Sequence, residues 1–323
     1  MNLSAWALSP VHWALLAIYA LLVVASMIVF ALKRRGGVSG IEELVARVIS
    51  WWAMLGIFTV AILTHPLVST IFLGLVAYLA LKEYFSLIPT RRIDRSVLLF
   101  AYLAIPVQFT FAHMCSFGLF MTFIPVWLFL FIPVVMTLLG QTAGFLRSVG
   151  TISWGVMITV FSLAHTALLL SGASTEVDVD GGALLLFLVA LTQLNDVAQF
   201  TCGKLIAGQL TGGHKIVPSV SPNKTWEGFL GGLVITTALA AAVGPFLTPM
   251  PLLWSALAGA IIALAGFLGD VTLSAFKRDL GVKDAGSLIP GHGGILDRVD
   301  SLTYTAPVFF HFFNFFFFSG LIS

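Results

Sequence analysis

Between Lys283 and Ser301 the chain reads KDAGSLIPGHGGILDRVDS, gathering Lys283, Asp284, His292, Asp297, Arg298 and Asp300 around a glycine-rich turn. Carboxylates three positions apart, basic side chains and flexible backbone are the parts of a site that holds a divalent cation and a phosphate. If the last helix begins near Gly294, Asp297 and Asp300 stand one turn apart on one face, about 5–6 Å from each other. At an effective dielectric near 20 they repel by roughly 3 kcal/mol, so a cation must lie close. Two identities are open. One is a structural ion pair with Arg298 or Arg278. The other is magnesium, which takes one or two carboxylates and fills its shell with water and substrate phosphate. The segment PGHGG, 290–294, opens onto the helix, whose amides and dipole attract anions; His292 there is either a turn hydrogen-bonder or a substrate contact.

Upstream, Asp270 follows Gly269 near the end of an apolar run, with Ser274, Lys277 and Arg278 on one helical stripe beyond it. An acid at that depth is expensive and points to function, the alternative being a simple ion pair with Lys277 or Arg278. In SPNKTWEG, 221–228, Lys224 and the hydroxyls of Ser221 and Thr225 suit phosphate, Trp226 suits the membrane interface, and Glu227 suits partnering a base. Gly228, Gly231 and Gly232 form a small-residue face for helix packing. Asp196, beside Asn195, adds another acid inside an apolar run. His214 belongs to a Gly-Gly-His-Lys loop and suits substrate contact. His12, His65, His113, His165 and His311 read as packing residues. From Asp196 to Asp300 there are seven acids and seven bases. A lipid-binding patch would be one-sidedly basic, whereas this mixture suits carboxylates on metal and cations on phosphate. CxxC, HExxH and GxxxxGK[ST] patterns are absent, which argues against a zinc enzyme or a P-loop nucleotidase.

The elements that position these groups must be membrane helices. Of 323 residues, 59% are hydrophobic and 9% charged, with a mean hydropathy of +1.03. Soluble domains carry about 25% charged residues. The expected fold is all-α: a polytopic integral membrane bundle of about ten spans, at roughly 20 residues each. Apolar runs fall at about 11–32, 49–64, 67–81, 96–113, 118–139, 151–171, 182–202, 227–247, 252–276 and 302–321. The second and third, split by His65 and Pro66, read as a tight hairpin or a re-entrant pair; both return the chain to the same side. With Lys33, Arg34 and Arg35 placed inside, span counting puts all sixteen basic residues inside, and Glu176, Asp178, Asp180 and both termini outside. The first run is expected to be an uncleaved anchor. Pro106, Pro125 and Pro133 are expected at kinks, and the run from Phe309 to Phe318 on the lipid-facing surface. Cys115 and Cys202 fall toward opposite faces and cannot bridge. The net charge of +2 gives no case for nucleic acid.

Extended backward, the opening stretch becomes Ser274-Ala-Phe-Lys277-Arg278, four residues, Lys283-Asp284-Ala-Gly286, then Ile289-Pro290-Gly291-His292-Gly293-Gly294, two residues, Asp297-Arg298-Val-Asp300. This resembles the signature of phosphatidate cytidylyltransferase, also called CDP-diacylglycerol synthase, and fixes more than a dozen positions in 27. Ser221 to Gly228 resembles that family's second motif. The likeness is motif-level over 191–301, while 1–190 matches only as a helical scaffold and 302–321 as a last helix. It implies condensation of CTP with phosphatidic acid, releasing pyrophosphate and CDP-diacylglycerol, with Mg²⁺ and, as an option, a second metal ion. Asp270 and Asp297 are then the leading metal ligands, with Asp300 and Asp196 behind them; Lys277 and Arg278 join the two leading acids as catalytic. Ser221, Lys224, Thr225, Glu227, Ser274, Lys283, Asp284, His292 and Arg298 are the implied substrate contacts. Phe200 departs from the pattern, standing where a tyrosine is expected, so no phenolic hydroxyl acts there. A homodimer in a bacterial inner membrane, surrounded by lipid and with its site facing the cytoplasm, completes the expectation. Two rivals are a CTP-using transferase on another lipid phosphate and, from another class, a transporter with Asp196 and Asp270 lining its pathway. The DGxxAR run of CDP-alcohol phosphatidyltransferases is absent.

Overall fold

A computed structural model describes residues 9–36, 40–89, 94–140, 143–176, 180–206, 213–289 and 293–317. Among the described residues the regular elements are helices, joined by turns and two isolated bridges, Lys215 with Thr225 and Ile289 with Gly293. In order these are α1 (Pro10–Arg35), α2 (Ile41–Leu63), α3 (Pro66–Leu87) and α4 (Asp94–His113). Next come α5 (Phe117–Thr122), a π-helical turn (Phe123–Leu128) and α6 (Phe129–Leu138), which together make one span. A second composite joins α7 (Phe145–Val156), a π turn (Met157–Phe161) and α8 (Ser162–Glu176). Then follow α9 (Gly181–Cys202), α10 (Trp226–Leu247), α11 (Leu252–Asp279), the single turn α12 (Leu296–Val299) and α13 (Leu302–Phe317). Among the described residues nine helical runs are long and apolar enough to cross a membrane; α13, with 16 residues, is a shorter tenth.

Local chemistry sets the starts of these helices. Pro66 opens α3, where its missing N–H costs nothing, and the His65 ring accepts the Leu67 amide at 3.2 Å. Asp180 caps α9 by accepting from Gly182 N at 2.9 Å, and Thr225 caps α10 by accepting from Gly228 N at 3.1 Å. The helices α2 and α3 run 23 and 22 residues. Each is long and apolar enough to cross a membrane, which favours the hairpin of the two alternatives. Their polar ends, Glu42 to Arg47 and Lys82 to Leu87, are helical as well, which the apolar runs alone could not reveal. Pro125 lies within the π turn of its span, and Pro106 and Pro133 lie inside α4 and α6.

The core is centred on α8 and α9. Ala183 through Leu188 are all buried, and α3, α4 and α13 pack around α8 while α10 and α11 flank α9. On α1, Val11 and Leu15 are the buried positions, so that helix lies at the periphery. The phenylalanine run needs correction. Phe309, Phe310 and Phe313 are fully buried, whereas Phe315 and Phe316 are exposed. Helical periodicity turns one face of the run inward, where Phe310 meets the buried His165 ring at 5.5 Å between centroids. Phe318 lies outside the described residues. Both cysteines are free, as expected.

Close approach of helices depends on missing side chains. A Cβ on Gly181 would stand 2.1 Å from the carbonyl oxygen of Leu170, an immovable backbone atom. Gly181→Ala is therefore expected to destabilise the protein by about 1–3 kcal/mol through overpacking. Gly150→Ala, at a position with open space around it, should be neutral. Melting curves of the two variants in detergent check this.

Candidate active site

The ends of α3, α9 and α11 and the starts of α10 and α13 meet at one end of the bundle. Three helices are bolted together just below it. Asn195, fully buried on α9, accepts from Thr236 Oγ1 of α10 at 3.2 Å and donates to Ala263 O of α11 at 3.4 Å. Glycines remove the remaining bulk. A Cβ on Gly228 would lie 2.7 Å from Gln199 O, one on Gly232 2.3 Å from Gln199 Cγ, and one on Gly269 2.7 Å from Asp300 O. The small-residue face of Gly228, Gly231 and Gly232 thus packs α10 onto α9, as its spacing predicts.

A cavity of about 170 Å³ opens between these helices, lined by Asp196, Gln199, Phe200, Ser221, Asn223, Lys224, Thr225, Gly228, Phe229, Phe267 and Asp270. Lys224 Nζ forms an ion pair with Asp270 Oδ2. It also donates to Gln199 Oε1 at 3.4 Å and sits 5.0 Å above the Phe267 ring. Asp270 accepts from Ser274 Oγ at 3.2 Å. The partner of Asp270 is thus Lys224, a residue of another loop, and not Lys277 or Arg278 on its own helix.

Beside the cavity lies a second charged cluster. Lys277, only 9% exposed, places Nζ 2.7 Å from Asp297 Oδ1 and 3.9 Å from Asp300 Oδ2. The cation that sequence electrostatics demands between these carboxylates is a lysine of α11, where the ion-pair alternative named arginines. Arg278 instead donates to the carbonyls of Val220 and Val282 at 3.2 and 3.1 Å, binding the loop before α10 to the end of α11. Asp297 is satisfied on both oxygens, since Oδ2 also accepts from the amides of Ala285 and Gly294 at 2.8 and 3.0 Å. Asp300 accepts from Ser301 N at 2.8 Å, and Ser301 Oγ donates to Asp196 Oδ1 at 3.1 Å. Burial, then the charges of Asp270 and Asp196, push the Asp300 carboxyl well above its usual range, against the pull of Lys277. Asp196 and Asp270 share the cavity wall, and Asp300 adjoins them through Ser301 and Gly269.

Could these residues hold magnesium? Carboxylate and hydroxyl oxygens are the donor set that ion requires, and Asp196 and Asp270 supply carboxylates at the cavity wall with Ser221 and Thr225 beside them. In donor chemistry the residues fit. Among the described residues no three His, Cys, Asp or Glu side chains stand at metal-holding distances; the ammonium groups of Lys224 and Lys277 stand among the carboxylates. Asp297 is the acid most committed elsewhere, to Lys277 and two amides.

With this geometry in place the chain can be compared with known proteins. Residues 45–316 match the model of the cytidylyltransferase family. The chain belongs to that family. Uncharacterized protein YnbB of Escherichia coli (strain K12) is 43% identical to it over 305 residues, 93% of this chain and 97% of the relative. The phosphatidate cytidylyltransferase of Mycobacterium leprae (strain TN) is 40% identical over 151 residues, 46% of this chain and 47% of the relative. That of Staphylococcus saprophyticus subsp. saprophyticus is 42% identical over 134 residues, 41% and 50%. The chain thus spans about half the length of the relatives that carry that enzyme name.

For a cytidylyltransferase, the remaining sequence-derived residues fall into distinct places. Ser221, Lys224 and Thr225 line the cavity beside Asp196 and Asp270, and Phe200 lies exposed at its edge. Glu227 turns away to pair with His214 Nδ1 at 2.7 Å and so braces the preceding loop. Lys283 and Asp284 are exposed. The carbonyl of Arg298 accepts from Gln193 at 3.3 Å while its Nε is buried without a partner among the described residues. His292 lies outside the described residues. Two groups escaped sequence reasoning, one on the cavity wall and one behind the last motif. Gln199 is 7% exposed, with Oε1 on Lys224 and Nε2 lacking a partner among the described residues; its spacing from Asn195, one helical turn earlier, was the signal. Glu83 of α3 accepts the amides of Ile295 and Leu296 at 3.0 and 2.8 Å. The helix start after the glycine turn, expected to attract a phosphate, already faces a carboxylate of the protein.

Removing Lys277 leaves Asp297 and Asp300 uncompensated. Lys277→Met is expected to destabilise by about 3–5 kcal/mol. Adding Asp297→Asn should recover part of the loss, with a coupling of roughly 0.5–3 kcal/mol across the double-mutant cycle. Detergent melts of the four proteins measure it; strict additivity would refute the pairing.

Proposed function

We propose that this chain is a magnesium-dependent CTP:phosphatidate cytidylyltransferase, making CDP-diacylglycerol and pyrophosphate in an inner membrane with its site facing the cytoplasm. The observation that carries this reading is the Lys224–Asp270 pair on a cavity wall shared with Asp196, in a member of the cytidylyltransferase family. Carboxylates interleaved with ammonium groups match a cation and a triphosphate meeting at one point.

In the reaction an oxygen of the lipid phosphate attacks the α-phosphorus of CTP. The new P–O bond forms as the bond from the α-phosphorus to the bridging oxygen breaks, and that electron pair leaves with pyrophosphate. The attacking oxygen is already anionic at neutral pH, so no protein nucleophile or strong base is needed. Lys224 and Lys277 neutralise phosphate oxygens by exchanging a carboxylate partner for a substrate one. Asp196, Asp270 and Asp300 would hold Mg²⁺, which when bound acts as a Lewis acid on the phosphoryl oxygens. Ser221 and Thr225 offer hydroxyls at the same wall, and the helices between them and lipid position the two substrates.

Purified protein in detergent, given phosphatidic acid, labelled CTP and Mg²⁺, is expected to yield lipid-extractable cytidine label. EDTA should abolish the product and Mg²⁺ restore it, and Asp270→Asn should lower turnover by at least about 100-fold with the fold intact. Product from another lipid phosphate alone would keep the transfer and change the substrate. No product from any lipid phosphate would overturn the reading.

A further inference from the structure

The start of α12 is held from outside its own motif. Glu83 sits near the end of α3, more than 200 residues earlier, and its two carboxylate oxygens accept the amides that open α12, Ile295 N on Oε1 and Leu296 N on Oε2. The niche around it is shaped to the carboxylate. A Cβ on Gly294 would stand 2.3 Å from Glu83 Oε2, and one on Gly286 3.0 Å from Oε1. The next two amides in space, Ala285 and Gly294, go to Asp297. Two carboxylates therefore grip four amides of one loop, and the inner one passes the constraint to Lys277 at 2.7 Å. The end of α3 is tied to the bundle. Tyr84, 1% exposed, stacks on Phe276 at 4.8 Å, next to Lys277 in the chain, and donates its hydroxyl to Thr151 O at 2.9 Å.

We propose that Glu83 is a positioning residue for the cytidylyl transfer: it fixes the loop carrying Asp297 and thereby the place of the Lys277 ammonium. It touches no substrate. The alternative, that Glu83 merely keeps the place of a substrate phosphate and must leave, requires a side chain free to retreat. The rigid attachment of α3 through Tyr84 opposes this. A glutamine at 83 keeps the shape but turns an NH₂ toward an amide N–H, so one of the two bonds becomes a clash of donors.

The test uses full-length protein in detergent and rests on the proposed function for its activity arm only. Glu83→Gln is expected to melt within about 4 °C of wild type. Its kcat should fall on the order of 100-fold, the scale of a catalytic group displaced by about 1 Å, with KM for phosphatidic acid held within about threefold. Hydrogen exchange of the Ala285, Gly294, Ile295 and Leu296 amides should quicken at least about tenfold. Gly294→Ala, which pushes the carboxylate off its amides while keeping Glu83, should reproduce both effects; Glu42→Gln, at an exposed ion pair with Lys33, should reproduce neither. Unchanged exchange, a fall in kcat matched by lost stability, or faster turnover with a lower KM would each overturn the proposal. If wild type makes no cytidylyl lipid, the functional reading fails, while the exchange arm still decides whether Glu83 holds the loop.

Discussion

An ammonium group taken out of water between two carboxylates is the constraint on which the rest of this site is built. Lys277 costs several kcal/mol to desolvate, and only good geometry returns that energy. The geometry comes from three directions. The Asp297 side is fixed by loop amides, the Asp300 side by its own helix junction, and the lysine by α11, whose Phe276 is stacked under Tyr84. A second ammonium, Lys224, is treated in the same way by Asp270, Gln199 and the Phe267 face. Both cations are thereby held in place by the fold itself.

Holding charges at this depth requires helices that approach more closely than ordinary side chains allow. The contacts of α9, α10 and α11 run through Gly228, Gly232, Gly259 and Gly266, and through the Asn195 bonds that satisfy a buried amide on both of its polar ends. In hydrocarbon there is no hydrophobic force to push helices together, so short contact distances and interhelical hydrogen bonds supply the attraction. The same contacts bring Asp300 to Gly269 and Ser301 to Asp196. Packing and electrostatics at this site are one arrangement viewed at two depths.

Much of this is legible in the sequence. Apolar run lengths give the helices, and charge placement gives the end of the bundle where chemistry gathers. The repulsion between Asp297 and Asp300 correctly demands a cation. What fails to show is contact between distant segments. Nothing in KEYF marks Glu83 as the partner of a turn some 212 residues away, because a lone acid at the end of an apolar run usually faces water. The ion-pair alternative for Asp270 looked only to its own helix, although Lys224 from the neighbouring loop is the group that reaches it. Composition made the phenylalanine run uniformly lipid-facing, although its period sets Phe309, Phe310 and Phe313 inward. Runs of one residue type hide periodicity, and only neighbours reveal which face is which.

The grip of Glu83 on the last motif also has a consequence for how the protein is made. Its partner amide at Ile295 is synthesised 212 residues later. At about 5–20 residues per second the carboxylate waits roughly 10–40 seconds beside a membrane with nothing to bind. A position one turn from the end of α3, within reach of water, is what makes that wait tolerable. The loop, in turn, gains this outside hold only once α3 and the Ile295 segment have both left the ribosome.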